Sequence, residues 1–143
     1  MSLIAQQEIT VRSARPQDEK GVISLWHDCN LTTSYNDPSK DFQFALNKSN
    51  SDILVALQRD TICGTVMCGH DGHRGWLYYV ASSPSLRGSG IGKMMVNAGE
   101  EWLRKCGIAK VQLMIRQSNE EVMNFYQHIG YEHTPRIIMA KWL

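Results

Sequence analysis

The residues from Trp76 to Gly92, WLYYVASSPSLRGSGIG, constrain this chain more than any other stretch. They open as an apolar, aromatic run from Trp76 to Ala81, the composition of a buried strand. The run breaks at Ser82-Ser83-Pro84 and becomes Arg87-Gly88-Ser89-Gly90-Ile91-Gly92, after which apolar residues recur at helical spacing to Cys106. A strand, a glycine-rich turn and a helix in that order present a row of main-chain N–H groups to an anion at the helix N-terminus. Glycine leaves no side chain in the way and permits the positive φ angles that such a turn requires. Two common phosphate motifs fail here. A Walker A loop needs a glycine where Arg87 stands and Ser or Thr where Met94 stands. The dinucleotide fingerprint needs a third glycine at Lys93 and an acidic residue near Ile108 to Gln112, where there is none.

The chain has 143 residues, enough for one domain (1–143) with a core of its own. A net charge of +1 and a pI near 7.7 give no global basic field, so no nucleic-acid partner is expected. No apolar run reaches the roughly 18 residues of a membrane span, and no signal-like apolar core opens the chain. The expectation is a cytoplasmic protein without a membrane partner. Four cysteines without CxxC spacing then read as reduced, mostly buried thiols. His70, Asp71 and His73 share a turn near Cys68, but with no second ligand cluster the turn is expected to be polar and metal-free.

Alternation predicts a first strand over Glu8–Ala14, then a helix after Asp18 with Val22, Leu25, Trp26 and Cys29 on its inner side. A turn-rich segment, Asn30 to Pro38, leads to a short helix carrying Phe42, Ala45 and Leu46. Asp52–Gln58, Thr61–Gly69 and Trp76–Ala81 form a strand meander. The helix after the glycine turn carries Ile91, Met95, Ala98, Trp102 and Cys106 and ends at Gly107. A strand follows over Lys110–Arg116. Ser118 to Glu121 is a capping-box sequence for a helix burying Val122, Phe125 and Ile129, and Arg136–Trp142 is a closing strand.

Arg87, Gly90 and Gly92 match Arg-x-x-Gly-x-Gly, and this loop resembles the acyl-CoA pyrophosphate loop of the GNAT acyltransferases. The element order is similar to the GNAT core over nearly the whole chain. Asn119 through Glu132, with Tyr126 seven residues after Asn119 and then Gly130-Tyr131, resembles that family's second motif. The resemblance implies an α/β (α+β) GNAT fold: a mixed, mostly antiparallel sheet of six to seven strands flanked by about four helices. It also implies an acetyl-CoA-dependent N-acetyltransferase, and the pattern looks closest to the ribosomal-protein N-terminal acetyltransferase branch. On this reading Arg87, Gly88, Ser89, Gly90, Ile91, Gly92 and Lys93 cradle the pyrophosphate. Val80 and Ala81 line the pantetheine arm through their backbone, and Asn119 contacts that arm unless it only caps its helix. Tyr126 protonates the departing thiolate, a role that suits a phenol of pKa about 10.

The loop holding Tyr35, Asn36 and Asp37 borders the acceptor in GNAT folds. Asp37 there either holds an ammonium or forms an Asx-turn before Pro38. The Asp71–His73 turn could lie beside the same site. Many of these enzymes place a carboxylate on the central strand as base, but Trp76 to Ser83 contains none. Asp71, His73, Asp37, Glu132 or a water chain must then serve. The acceptor is expected to be an amine on a small molecule or peptide, and the protein a monomer or homodimer. A non-catalytic CoA-binding sensor or assembly module is the rival reading.

Overall fold

A computed structural model describes residues 8–143. The elements are β1 (Ile9–Ser13), α1 (Glu19–Asp28), α2 (Pro38–Ala45), β2 (Ser51–Gln58), β3 (Thr61–His70), β4 (Gly75–Ser82), α3 (Ile91–Lys105), β5 (Val111–Gln112) and α4 (Glu120–His128). One-turn 3-10 helices stand at Pro16–Asp18 and Pro84–Leu86. These residues divide into two compact units, the first ending at Leu113 and the second running from Met114 to Leu143. All five strands belong to the first unit and form one sheet in sequence order. β1 to β4 pair antiparallel, whereas β5 joins β4 in parallel through only two residue pairs, Gly75↔Val111 and Trp76↔Gln112.

The two faces of the sheet are covered by different helices, and the burial of β2 records this. Six consecutive residues, Asp52 to Leu57, are buried, the signature of a strand covered on both sides. Ile53, Val55 and Leu57 pack with Val22, Leu25 and Trp26 of α1 and Phe42 of α2. α3 covers the other face with Ile91, Met95, Val96, Gly99 and Leu103. It lies very close to the strands. A Cβ on Gly64 of β3 would stand 2.7 Å from Ile91 Cγ2, so this position must stay bare for α3 to begin where it does. Asp52 is the one buried carboxylate among the described residues, and it is fully used. It accepts from Ser13 Oγ (2.8 Å), Asn47 N (3.0 Å) and Ile53 N (2.8 Å), tying β1 and the end of α2 to β2.

Several sequence expectations shift. The strand expected over Lys110–Arg116 pairs only at Val111–Gln112, and the closing strand over Arg136–Trp142 does not form. The sheet therefore has five strands, not six to seven. β propensity expresses the packing and pairing that neighbours supply. Residues 131–143 make no ladder, and Ile137 and Met139 are each 91% exposed. α3 buries Val96, Gly99 and Leu103 in place of Ala98, Trp102 and Cys106, because the bare Gly99 seats against Leu77 and rotates the buried stripe. Cys106 is exposed and Cys29 partly so; Cys63 and Cys68 are buried, and all four are free thiols. Asp18 accepts from Arg15 N and the Arg12 guanidinium and makes no side-chain cap on α1. α4 is capped by Asn119, not Ser118, and its one buried residue is Tyr126 in place of Val122, Phe125 and Ile129.

Candidate active site

The predicted anion loop folds as a strand-to-helix turn. Pro84–Leu86 makes one 3-10 turn, and Ser89 closes it with both its amide (3.2 Å) and hydroxyl (2.6 Å) on Leu86 O. Gly88 and Gly90 take φ of +82° and +81°, left-handed angles that a residue with a Cβ adopts at a cost. Nothing lies within 4 Å of a Cβ placed on either, so the glycines answer a backbone requirement and leave open space above the loop. Gly90 is the N-cap of α3 but offers no side-chain acceptor to the first-turn N–H groups. Arg87 and Lys93 are exposed beside them, and neither has an acidic partner among the described residues. Free N–H groups, a helix dipole and two unpaired cations suit a phosphate. Ile91 is buried as the anchor of this turn, and Gly92 follows it in the helix.

Upstream of the loop, β4 carries a bulge that the sequence does not announce. Met67 pairs with Tyr78 and Thr65 with Ala81, so Val66 alone faces Tyr79 and Val80. Tyr79 has φ +51°, a left-handed angle worth about 1–3 kcal/mol of strain in a residue with a side chain. The consequence is a change of face. Residues two apart on a strand share one side. Gly75 and Leu77 face α3, whereas Tyr79 and Ala81 belong to the core under α1 and α2.

Tyr79 is held firmly. Its ring stacks on Trp26 with centroids 3.8 Å apart, its carbonyl accepts from Thr65 Oγ1 at 2.9 Å, and its hydroxyl donates to Asp41 Oδ2 at 2.7 Å. Thr65 in turn accepts from Trp26 Nε1 at 3.0 Å. Burial, then the bond to Asp41 and its charge, push the Tyr79 phenol well above its usual range. Because β5 pairs only with the first two residues of β4, the β5 side of Leu77–Ser82 has no ladder within the sheet. The bulge and this open edge leave main-chain groups around the half-buried Val80 and the buried Ala81 for an extended ligand. At the end of β4, the Cys29 thiol donates to Ser82 O at 3.2 Å, and burial raises its pKa.

Tyr35, Asn36 and Asp37 lie on the loop between α1 and α2. Tyr35 is 62% exposed, and Asn36 donates its amide to Thr33 O. Thr33 Oγ1 is buried without a hydrogen-bond partner among the described residues. Asp37 is the N-cap of α2, its Oδ1 accepting from Ser39 N (3.0 Å) and Lys40 N (3.3 Å). Asp71 and His73 occupy the exposed β3–β4 turn. Asp71 Oδ1 accepts from Arg74 N and His73 N, and these bonds hold its carboxyl below the usual range. Sequence reasoning passed over Asp41, the carboxylate that does reach β4. It lies 38 residues from Tyr79 and only the packing of α2 on the sheet brings the two together.

In the second unit, Asn119 Oδ1 accepts from Val122 N at 3.3 Å, the helix-cap geometry. Tyr126 is 7% exposed, with its ring edge-on to Phe125 (5.0 Å) and Tyr131 (5.4 Å). Burial alone raises its pKa to about 12.

The sequence profile described as Acetyltransferase (GNAT) family matches residues 20–131. Solved structures resemble the whole fold at low identity. The aminoglycoside acetyltransferase AAC(6')-Iy, in complex with a CoA-containing bisubstrate analogue, is 17% identical with a TM-score of 0.80, over 94% of this chain and 98% of that one. The aminoglycoside acetyltransferase meta-AAC0020, from an uncultured soil metagenomic sample, is 17% identical with a TM-score of 0.76, over 96% and 97%. An acetyltransferase from Streptococcus agalactiae 2603 is 15% identical with a TM-score of 0.78, over 96% and 92%. With the family profile spanning most of its length, the chain belongs to the GNAT acetyltransferase family.

Proposed function

We propose that this enzyme passes the acetyl group directly from acetyl-CoA to a primary amine while both are bound. The observation that carries this reading is the run from the Tyr79 bulge to the N-terminus of α3, with an open strand edge at one end and unpaired N–H groups and cations at the other. In this reading Arg87, Lys93 and the amides of Gly88 and residues 90–93 bind the pyrophosphate, Ser89 holds the turn through Leu86 O, and the main chain at Val80 and Ala81 runs beside the pantetheine arm. A main-chain N–H near Val80 polarises the thioester oxygen. As the amine nitrogen bonds to the carbonyl carbon, the carbon–sulfur bond breaks. Tyr126 gives its proton to the leaving sulfur, and the amine proton passes to a base or water. Asn119 uses one oxygen for its cap and keeps its amide group for the cofactor arm.

The family match crosses the boundary at residue 113, which supports one acetyltransferase domain built from both units. Two of the similar folds are aminoglycoside acetyltransferases, which favours a small-molecule amine over a protein N-terminus or lysine. The Asp37 carboxylate and the orphaned Thr33 hydroxyl support placing that acceptor beside α2.

Thermal unfolding with acetyl-CoA, CoA, ATP or NAD, each at about 1 mM, tests the cofactor reading. A ligand at about 100 times its dissociation constant adds about 2.7 kcal/mol to the native state. Acetyl-CoA and CoA should raise the midpoint and the other two should not. Thiol release across a panel of small amines, amino acids and peptides then identifies the acceptor, and release dependent on none of them would refute direct amine transfer.

A further inference from the structure

The restraint on Tyr79 exceeds what a strand residue needs. Stacking on a fully buried Trp26 restrains its ring and the Thr65 bond restrains its carbonyl, but neither holds the hydroxyl end of the side chain. The third restraint comes from a different part of the molecule, since Asp41 belongs to the first turns of α2. The Asp41 amide bonds to Asp37 O, and Asp37 caps the helix on the loop that carries Tyr35 and Asn36. A chain of bonded groups thus joins that loop to the bulge: Asp37 to Asp41 through the helix, and Asp41 to Tyr79 through the 2.7 Å bond.

We propose that Asp41 and Tyr79 form a positioning pair for acetyl transfer, in which Asp41 holds the Tyr79 hydroxyl and so fixes the left-handed bulge that presents the β4 main chain to the thioester. The inference rests on the acetyl-transfer reading above. Asp41 acts in it through a hydrogen bond and not through its charge on the amine, and neither residue exchanges a proton with substrate. A strained turn in the middle of a strand relaxes toward ordinary pairing when a restraint is removed. Loss of the pair should therefore misdirect the amide that polarises the carbonyl while leaving the pyrophosphate loop intact.

The test compares Tyr79→Phe, Asp41→Ala, Asp41→Asn and the Tyr79→Phe/Asp41→Ala double variant with the wild type. The readouts are thermal midpoint, affinity for acetyl-CoA and for CoA by calorimetry, and kcat and KM with the best amine. Tyr79→Phe keeps the ring stack and the carbonyl bond. It should lower kcat about tenfold, or about 1.4 kcal/mol of barrier. The amine KM and the CoA affinity should stay within about twofold, and any preference for acetyl-CoA over CoA should shrink. Asp41→Ala should match it, and the double variant should be no worse than either, because the two residues act as one unit. Asp41→Asn retains a carbonyl oxygen for the hydroxyl and should recover most of the kcat lost in Asp41→Ala.

Unchanged kcat and an unchanged acetyl-CoA preference in Tyr79→Phe would overturn the proposal. So would an Asp41→Asn enzyme as poor as Asp41→Ala with a raised amine KM, which would place the carboxylate's charge on the acceptor. A wild-type chain that neither acetyl-CoA nor CoA stabilises would overturn the acetyl-transfer reading itself, and the positioning role with it.

Discussion

Burial raises the pKa of the Tyr126 phenol to about 12, so its hydroxyl carries a proton at neutral pH, as the general-acid role proposed above requires. Tyr126→Phe should lower kcat about 100-fold while acetyl-CoA affinity changes less than about twofold, measured by thiol release and calorimetry. The same burial links the phenol to stability. In the unfolded chain it ionises near pH 10, so its neutral form supports folding fully below that pH, and the support is lost as the pH rises toward about 12. Between those values the wild type should lose more stability than Tyr126→Phe in denaturant titrations. At Asp37 the question is whether the side chain serves the helix or a ligand. Asp37→Ala should cost about 1 kcal/mol through the lost cap, whereas Asp37→Asn keeps an acceptor and should cost little. A rise in amine KM confined to Asp37→Asn and Asp37→Ala, beyond the stability loss, would assign it to the acceptor. Arg87, Gly90 and Tyr126 entered the proposed site from the sequence because motifs of fixed spacing carry them. Asp41 was not, since no spacing along the chain reports a contact across 38 residues.

The proposed pyrophosphate loop works as an element only if α3 begins at the right height above the sheet. Ile91, the first residue of that helix, rests in the space left by Gly64 on β3. Gly64→Ala would force a Cβ to within 2.7 Å of Ile91 Cγ2, close to Met95 as well. The expected cost is about 1–3 kcal/mol of stability, and the first turn of α3 must shift. Acetyl-CoA should therefore bind measurably more weakly by calorimetry, although Gly64 itself lies outside the loop motif. Unchanged affinity would show that the loop tolerates the shift. Element type was legible here from periodicity, since strands β2, β3 and β4 and all four helices appear close to their expected bounds. Which face each element buries was less so. The stripe of α3 is set by where Gly64 and Gly99 allow close approach, and that of α4 settles on Tyr126.

For the whole molecule, the reading as one acetyltransferase domain predicts a single cooperative transition. Hydrogen exchange during urea unfolding should show amides of Ile53–Leu57 in the first unit and of Phe125–Tyr126 in the second losing protection at the same midpoint. Separate midpoints would make residues 114–143 an independent unit. Among the described residues no helix is long and apolar enough to cross a membrane. The core of the first unit lies where α1 and α2 pack on the sheet. The amino-acid order by itself determined the succession of β1 to β4 and the four helices, the left-handed glycines of the turn after β4, and membership of the GNAT acetyltransferase family. These are properties of neighbouring residues, set by local spacing and by angles that only glycine takes without strain. Tertiary structure alone decided the shift of face at Tyr79, the two-residue pairing of β5, the unpaired state of residues 136–142 and the seating of Asp41 on β4. A bulge, a ladder or a bond across the sheet exists only when its distant partner arrives, and whether it arrives is settled by packing that no short stretch of sequence contains.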